Sequence, residues 1–314
     1  MKLGRIIVGP ILSIIFLVFF AYLIAGVQWV FDNSLQKQNG ALSLGSISGF
    51  FQGTSNQDPN KNVIKIISVE NPELELGAGA AISVESDLFG TNNVIFEKNA
   101  NTQLPIASLT KLMTAVIVLD NYNMSDTVVV GKTAGAQDPR KQDLKIGDVL
   151  SVENFLDIML VGSSNISAYA LSEIIGEQKF VELMNQRAID MGLKDTFFAD
   201  PTGLSSKNVS TASDLAKFAE YIIKNYPKIS SISKVEEMYI PKFGNIINTN
   251  QLLGEFPEIV CSKTGFTSAA SGCLLMVVNN PKNNNYLINV ILGSSERFYE
   301  MKKLISWSDI VCNQ

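Results

Sequence analysis

Pro105-Ile106-Ala107-Ser108-Leu109-Thr110-Lys111-Leu112-Met113-Thr114-Ala115-Val116-Ile117-Val118-Leu119 is the stretch on which the fold turns. From Leu109 to Leu119 it is apolar almost all round, which predicts a helix buried at the centre of a domain. Ser108 and Lys111 stand one turn apart where that helix begins, on one face. A lysine amine so placed reaches the serine hydroxyl and can act as its base, and the helix N-terminus favours developing negative charge. The S-x-x-K spacing is weak by itself, because Ser34 to Lys37 and Ser231 to Lys234 share it. Only the Ser108 copy opens a strongly apolar helix, where both side chains are held rigidly.

No histidine occurs among the 314 residues. That excludes Ser-His-Asp and Cys-His catalysis, and nearly every histidine-ligated metal site. A hydrolase of this composition needs a lysine, a carboxylate or a tyrosine as its base. The net charge of −5 offers no basic face, so no nucleic-acid partner is expected. Cys261, Cys273 and Cys312 are an odd set with neither a disulfide framework nor zinc spacing. Cys261 and Cys273 flank an expected hairpin and read as two buried, small apolar residues.

Ile6 to Val27 carries no charge and is long enough to span a bilayer. Lys2 and Arg5 precede it and Asp32 is the next charge, which puts the N-terminus in the cytoplasm and the body outside. The run continues into Gln28-Trp29-Val30-Phe31 with no small-residue cleavage pattern. Residues 1–31 are therefore expected to be an uncleaved single-pass transmembrane anchor that holds the chain at the cell membrane. Residues 32–62, rich in Asn, Gln, Ser and Gly, read as a tether. The folded body is expected over residues 63–314, with its core starting near residue 80.

Within the body, Ala81–Val84 and Val94–Phe96 read as strands around a turn at Gly90–Asn93. Helical patterns follow at Val152–Leu160, Ser167–Ile175, Glu177–Met191 and Thr211–Ile223, the last with Thr211 and Asp214 as a capping box. Strand patterns return at Ile259–Thr264, Gly272–Val278 and Tyr286–Leu292, and an amphipathic helix fits Arg297–Trp307. Strands at both ends with helices between imply one α+β domain, an antiparallel sheet completed by the two ends of the chain, with a helical insert.

Two further motifs lie at element ends. Ser163-Ser164-Asn165 falls in a tight turn between two helices. It offers a hydroxyl for proton relay and an amide for a substrate peptide bond, or, more blandly, a helix cap. Ser206-Lys207-Asn208 matches the same S-x-N pattern. Lys263-Thr264-Gly265 lies on a strand that ends in a turn. Its cation and hydroxyl suit a substrate carboxylate, and Gly265 would let a substrate backbone approach. The bland alternative there is an edge-strand lysine in solvent.

In the order S-x-x-K, S-x-N, K-T-G, the three motifs resemble the signature of penicillin-binding proteins and active-site serine β-lactamases. Pro105–Ala115, Leu144-Lys145-Ile146-Gly147-Asp148, Asp200-Pro201-Thr202-Gly203-Leu204 and Asn248-Thr249-Asn250-Gln251-Leu252-Leu253 are similar to segments of the low-molecular-mass D-alanyl-D-alanine carboxypeptidases. The resemblance covers about Ala80 to Trp307 and implies the β-lactamase-like transpeptidase fold. It also implies a function: removal of the terminal D-alanine from peptidoglycan stem pentapeptides through an acyl-enzyme, with β-lactam antibiotics as covalent inhibitors.

By the same resemblance, Ser108 is the nucleophile, Lys111 its base and Ser163 the proton relay to the leaving amine. Asn165 would hold the substrate amide, Lys263 and Thr264 the terminal carboxylate, and Gly265 and Phe266 complete the substrate strand. The backbone N–H groups of Ser108 and Phe266 would form the oxyanion hole. No metal or cofactor is implied. Ser164 departs from the family's usual glycine, and Asp200 from its frequent asparagine. A class A β-lactamase would need a glutamate in the loop after the S-x-N helices, and Gly192 to Val209 holds only Asp195 and Asp200. A D,D-endopeptidase and a non-catalytic wall-binding protein are the other readings.

Overall fold

Strand β10 (Ser271–Asn279) shows how the domain is layered. Cys273, Leu275 and Val277 belong to the larger of two hydrophobic cores, and Leu274, Met276 and Val278 to the smaller. Successive side chains of a strand point to opposite faces, so a strand buried on both faces must be apolar throughout. That explains the unbroken apolar run from Cys273 to Val278.

The computed structural model describes residues 74–138, 144–256, 258–280 and 283–312. The expected anchor and tether lie outside these residues. Among the described residues no helix is long and apolar enough to cross a membrane.

A five-stranded sheet runs in the order β2-β1-β11-β10-β9, antiparallel throughout. Its strands are β1 (Ala80–Ser86), β2 (Asn92–Lys98), β9 (Ile259–Thr267), β10 and β11 (Tyr286–Ser294). Ala80 stands opposite Leu292 and Ser86 opposite Tyr286, so the two ends of the chain do complete one sheet. Helix α8 (Arg297–Cys312) covers one face, with Met301, Leu304 and Ile305 in the smaller core. Helix α6 (Ala212–Asn225) lies on the other, packed on β1 and β11.

The helical insert surrounds α1 (Thr110–Asn121), which is buried from Thr110 to Val118. Around it pack α3 (Val152–Val161), α4 (Asn165–Glu173), α5 (Glu177–Asp190) and α7 (Pro227–Ser233). The short α2 (Lys132–Gly135) packs on α4. Small antiparallel pairs join β3 (Leu104–Pro105) to β6 (Val209–Ser210), β4 (Thr127–Val129) to β5 (Val149–Ser151), and β7 (Glu237–Ile240) to β8 (Gly244–Ile247). The sequence reading contains none of these pairs, because strands of two to four residues are too short to show a period.

Other differences have local causes. Helix α4 begins at Asn165 rather than Ser167, because Ser164 caps it by accepting from the Ser167 N–H at 3.1 Å. Thr211 caps α6 from the Asp214 N–H at 3.0 Å, but the box is not reciprocal. The Asp214 carboxylate instead accepts from the Asp195 N–H and the Thr196 hydroxyl. Strand β9 runs on to Thr267, so the K-T-G motif lies inside the edge strand and not at its end.

Cys261 and Cys273 are both free and buried, opposite Val277 and Gly265 respectively. Burial pushes each thiol up to about 11, which suits inert core residues.

One buried charge ties the start of the body to its end. The Glu300 carboxylate on α8 accepts from the Gly77 and Ala78 N–H groups and from the Ser294 hydroxyl. Replacing it by alanine strands those donors. Glu300→Ala should therefore cost about 2–4 kcal/mol, measured by urea unfolding, with the far-UV spectrum of the folded state unchanged.

Candidate active site

The chain reaches α1 through a strained turn. Ala107 has φ +47°, in the left-handed region, and a single 3₁₀ turn over Ala107–Leu109 precedes the α-helix. This turn places Ser108 one helical turn from Lys111. The Lys111 amine lies 2.9 Å from Ser108 Oγ, 2.8 Å from Asn165 Oδ1 and 2.6 Å from the Thr202 carbonyl oxygen. It is fully buried, and burial disfavours the ammonium form. A neutral amine has two N–H donors and one lone pair. The Asn165 and Thr202 oxygens accept the two N–H groups, and the lone pair is left facing the Ser108 hydroxyl.

Lys263 supplies a second buried amine. Lys263 is 2 % exposed although β9 is an edge strand, so the solvent-exposed alternative is ruled out. Its Nζ donates to Ser163 Oγ at 2.9 Å and to the Thr264 carbonyl at 3.0 Å. Ser163 has φ +59°, held in the turn between α3 and α4. The capping duty in this turn falls to Ser164, whose φ of −63° needs no glycine. Ser163 and Asn165 are thereby left for other partners. Asn165 does more than expected: its oxygen takes Lys111, and its Nδ2 donates to the Asp138 carbonyl at 3.3 Å. Its second N–H is what it can offer a substrate carbonyl.

Gly265 also has a role in the protein's own packing. A Cβ there would lie 2.9 Å from the Ile106 carbonyl and 3.1 Å from the Ser108 nitrogen. The glycine lets β9 close against the turn that carries Ser108, so the close approach is made by the protein's own backbone. Phe266, next on the strand, is half exposed.

Two residues near the K-T-G strand carry no role in the sequence reading. The Thr249 hydroxyl lies 2.5 Å from that of Thr264, and the Thr249 N–H donates to the Val161 carbonyl at 3.2 Å. The Arg297 guanidinium sits 5.9 Å from the centre of the Phe266 ring, a second cation at this end of β9. No local signal marks Arg297, which is visible only as the first residue of a helix.

Gly203 closes the site from below. It has φ +86°, and a Cβ there would lie 1.9 Å from the Ala107 carbonyl oxygen. The carbonyl oxygen is backbone and a Cβ is fixed by its own backbone, so the clash cannot be relieved by a rotamer change. Gly203→Ala should slow acylation of Ser108 by fluorescent penicillin roughly 100-fold and lower the melting temperature. Labelling at the wild-type rate would show that this contact does not hold the turn.

A serine beside a buried lysine, at the junction of a helical insert and an antiparallel sheet, defines an acyl-enzyme peptidase of the penicillin-binding class. A family model for D-alanyl-D-alanine carboxypeptidases matches residues 66–296. The chain belongs to that family and is a serine peptidase.

Among its relatives, the Bacillus subtilis carboxypeptidase DacF is 32% identical over 252 residues, covering 75% of this chain and 63% of the relative's length. The chain thus spans less than two thirds of that protein. A D-alanyl-D-alanine endopeptidase of Escherichia coli is 34% identical over 248 residues, covering 74% of this chain and 77% of its own. The Streptomyces K15 DD-transpeptidase structure superposes with a TM-score of 0.69 at 25% identity, over 76% of this chain and 99% of that one. The cefotaxime-bound penicillin-binding protein D2 of Listeria monocytogenes does so with a TM-score of 0.67 at 27% identity, over 76% and 99%.

Proposed function

We propose that the chain is a D,D-carboxypeptidase that removes the terminal D-alanine of peptidoglycan stem pentapeptides through an acyl-enzyme on Ser108. The Lys111 amine carries this reading, with both its N–H groups accepted by Asn165 and Thr202 and Ser108 Oγ at 2.9 Å.

Ser108 Oγ attacks the carbonyl of the penultimate D-alanine while its proton passes to Lys111. The backbone N–H groups of Ser108 and Phe266 face the resulting oxyanion. As the C–N bond breaks, Ser163 gives its proton to the departing D-alanine amine. Lys263, donating to Ser163 Oγ, stabilises the alkoxide character that develops there. Lys263 and Thr264, with Arg297 over the neighbouring Phe266 ring, supply the positive charge and hydroxyl that a terminal carboxylate requires. The Lys111 proton then returns to Ser163, leaving the amine neutral. Water attacks the ester while giving a proton to Lys111, which passes it to Ser108 Oγ as the acyl C–O bond breaks. β-Lactams would acylate the same serine, a reading supported by the cefotaxime-bound form of the Listeria relative.

The β-lactamase alternative lacks its base. Gly192 to Val209 holds no glutamate, Asp195 is exposed, and the Asp200 carboxylate is committed to its own loop. The non-catalytic alternative leaves two buried amines, each aimed at a serine, without a purpose. Endopeptidase action is the second reading, favoured by the Pseudomonas aeruginosa and E. coli relatives that carry that name at 32% and 34% identity. Product analysis on a stem pentapeptide and on a cross-linked dimer separates the two.

Uncharged Ile6–Val27 behind Lys2 and Arg5 supports anchoring by one N-terminal helix, with the body outside the cell membrane. Protease added to intact spheroplasts should digest the body; full protection would refute this placement.

Ser108→Ala should abolish covalent penicillin labelling, and Lys111→Arg should lower it at least 1000-fold, since guanidinium cannot be deprotonated. Hydrolysed penicillin released from stoichiometrically labelled wild-type protein should appear over minutes or longer. Many turnovers per second would restore the β-lactamase.

A further inference from the structure

The loop beneath Lys111 is organised by one carboxylate. Asp200 Oδ1 accepts from the Thr202 N–H at 2.6 Å, the Thr202 hydroxyl at 2.6 Å and the Gly203 N–H at 2.7 Å. Asp200 Oδ2 accepts from the Ser205 N–H at 2.8 Å and from Asn208 Nδ2 at 2.8 Å. Burial raises the acid's pKa, but the donors from Thr202, Ser205 and Gly203 outweigh it and hold the carboxyl below the ordinary carboxylate range. Asp200 is therefore ionised at neutral pH and saturated with donors.

What these bonds hold in place lies around the reacting pair. The Thr202 carbonyl accepts from Lys111, and the Pro201 carbonyl accepts from Thr114 one turn along α1, at 2.6 Å. Gly203 lies against the Ala107 carbonyl, next to Ser108. The partner Asn208 reaches the same turn from its other side, because its carbonyl accepts from the Ile106 N–H at 3.0 Å. One carboxylate thus sets the acceptor that orients the base and supports the turn that presents the nucleophile.

We infer that Asp200 is a positioning residue for acylation, which acts on Lys111 through the Thr202 carbonyl and on Ser108 through Gly203 and Asn208. The inference rests on Lys111 being the base of Ser108. The Asp200 carboxylate bonds to Thr202, Gly203, Ser205 and Asn208, away from the K-T-G strand and Ser163, so its removal should leave substrate capture intact and slow the chemical step. An asparagine at this position keeps one acceptor oxygen for Thr202 and Gly203. It turns an NH₂ group toward the Ser205 and Asn208 donors, losing that half of the network.

The test is the rate of acylation against penicillin concentration, which separates reversible binding from the acylation rate constant, on full-length protein. The labelling end-point gives the folded fraction independently. Asp200→Ala should lower the rate constant about 100-fold and Asp200→Asn roughly tenfold, each with the half-saturating concentration unchanged. The exchange Asp200→Asn with Asn208→Asp restores a donor–acceptor pair between the two side chains and should recover most of the loss in Asp200→Asn.

Loss of end-point labelling with a normal rate constant in the folded fraction would reduce Asp200 to a stability role and overturn the inference. A rise in half-saturating concentration at constant rate would overturn it as well. Ser108→Ala and Lys111→Arg run in parallel: if either labels normally, the site assignment itself fails. If both are dead while the Asp200 variants are normal, only the positioning role fails.

Discussion

The structure depends on one amine kept out of water. Lys111 is fully buried where the helical insert meets the sheet, and an isolated ammonium there would cost many kcal/mol. Its environment answers that cost with oxygens from Ser108, Asn165 and Thr202, on three separate segments. These three neutral oxygens satisfy the amine's hydrogen-bonding needs within the protein. Helix α1 must be central for this to work, because α4 and the Asp200–Leu204 loop approach it from different sides.

The second constraint is the meeting of β9 with the turn before α1. Three backbone features allow it: the left-handed φ of Ala107, and the missing side chains of Gly203 and Gly265. Glycine is usually read as freedom, but here two glycines act through contact, since backbone atoms occupy the space a Cβ would fill. The cleft between Ser108 and the K-T-G strand is thus set by main-chain packing. The sheet itself is buried on both faces by α6 and α8, which keeps its edge strand in a fixed plane.

The departures from the family pattern have structural reasons. Ser164 replaces a usual glycine at a position with ordinary φ and serves as the N-cap of α4. Asp200, in place of a frequent asparagine, faces five donors with two oxygens, a match only a carboxylate makes in full. The second S-x-N match, Ser206 to Asn208, lies within this same loop, and Asn208 is one of the Asp200 donors.

Much of this was legible in the sequence. Apolar periodicity located α1, α3, α5 and α6, the long sheet strands and the closure of the sheet by both chain ends. The absence of histidine directed attention to lysine, and the order of three motifs pointed to the family. Those signals are local or one-dimensional: a period, a composition, a spacing. What only the tertiary structure decided were relations between segments distant in the chain. Lys263 is buried against Ser163, 100 residues away. Asn165 divides its amide between Lys111 and Asp138, Thr249 meets Thr264, and Arg297 lies by Phe266. Gly265 packs closely against Ile106 and the Ser108 turn. A residue's type fixes which bonds it can make, but its partner depends on which segments the packed core brings within 3 Å, and no spacing along the chain encodes that distance.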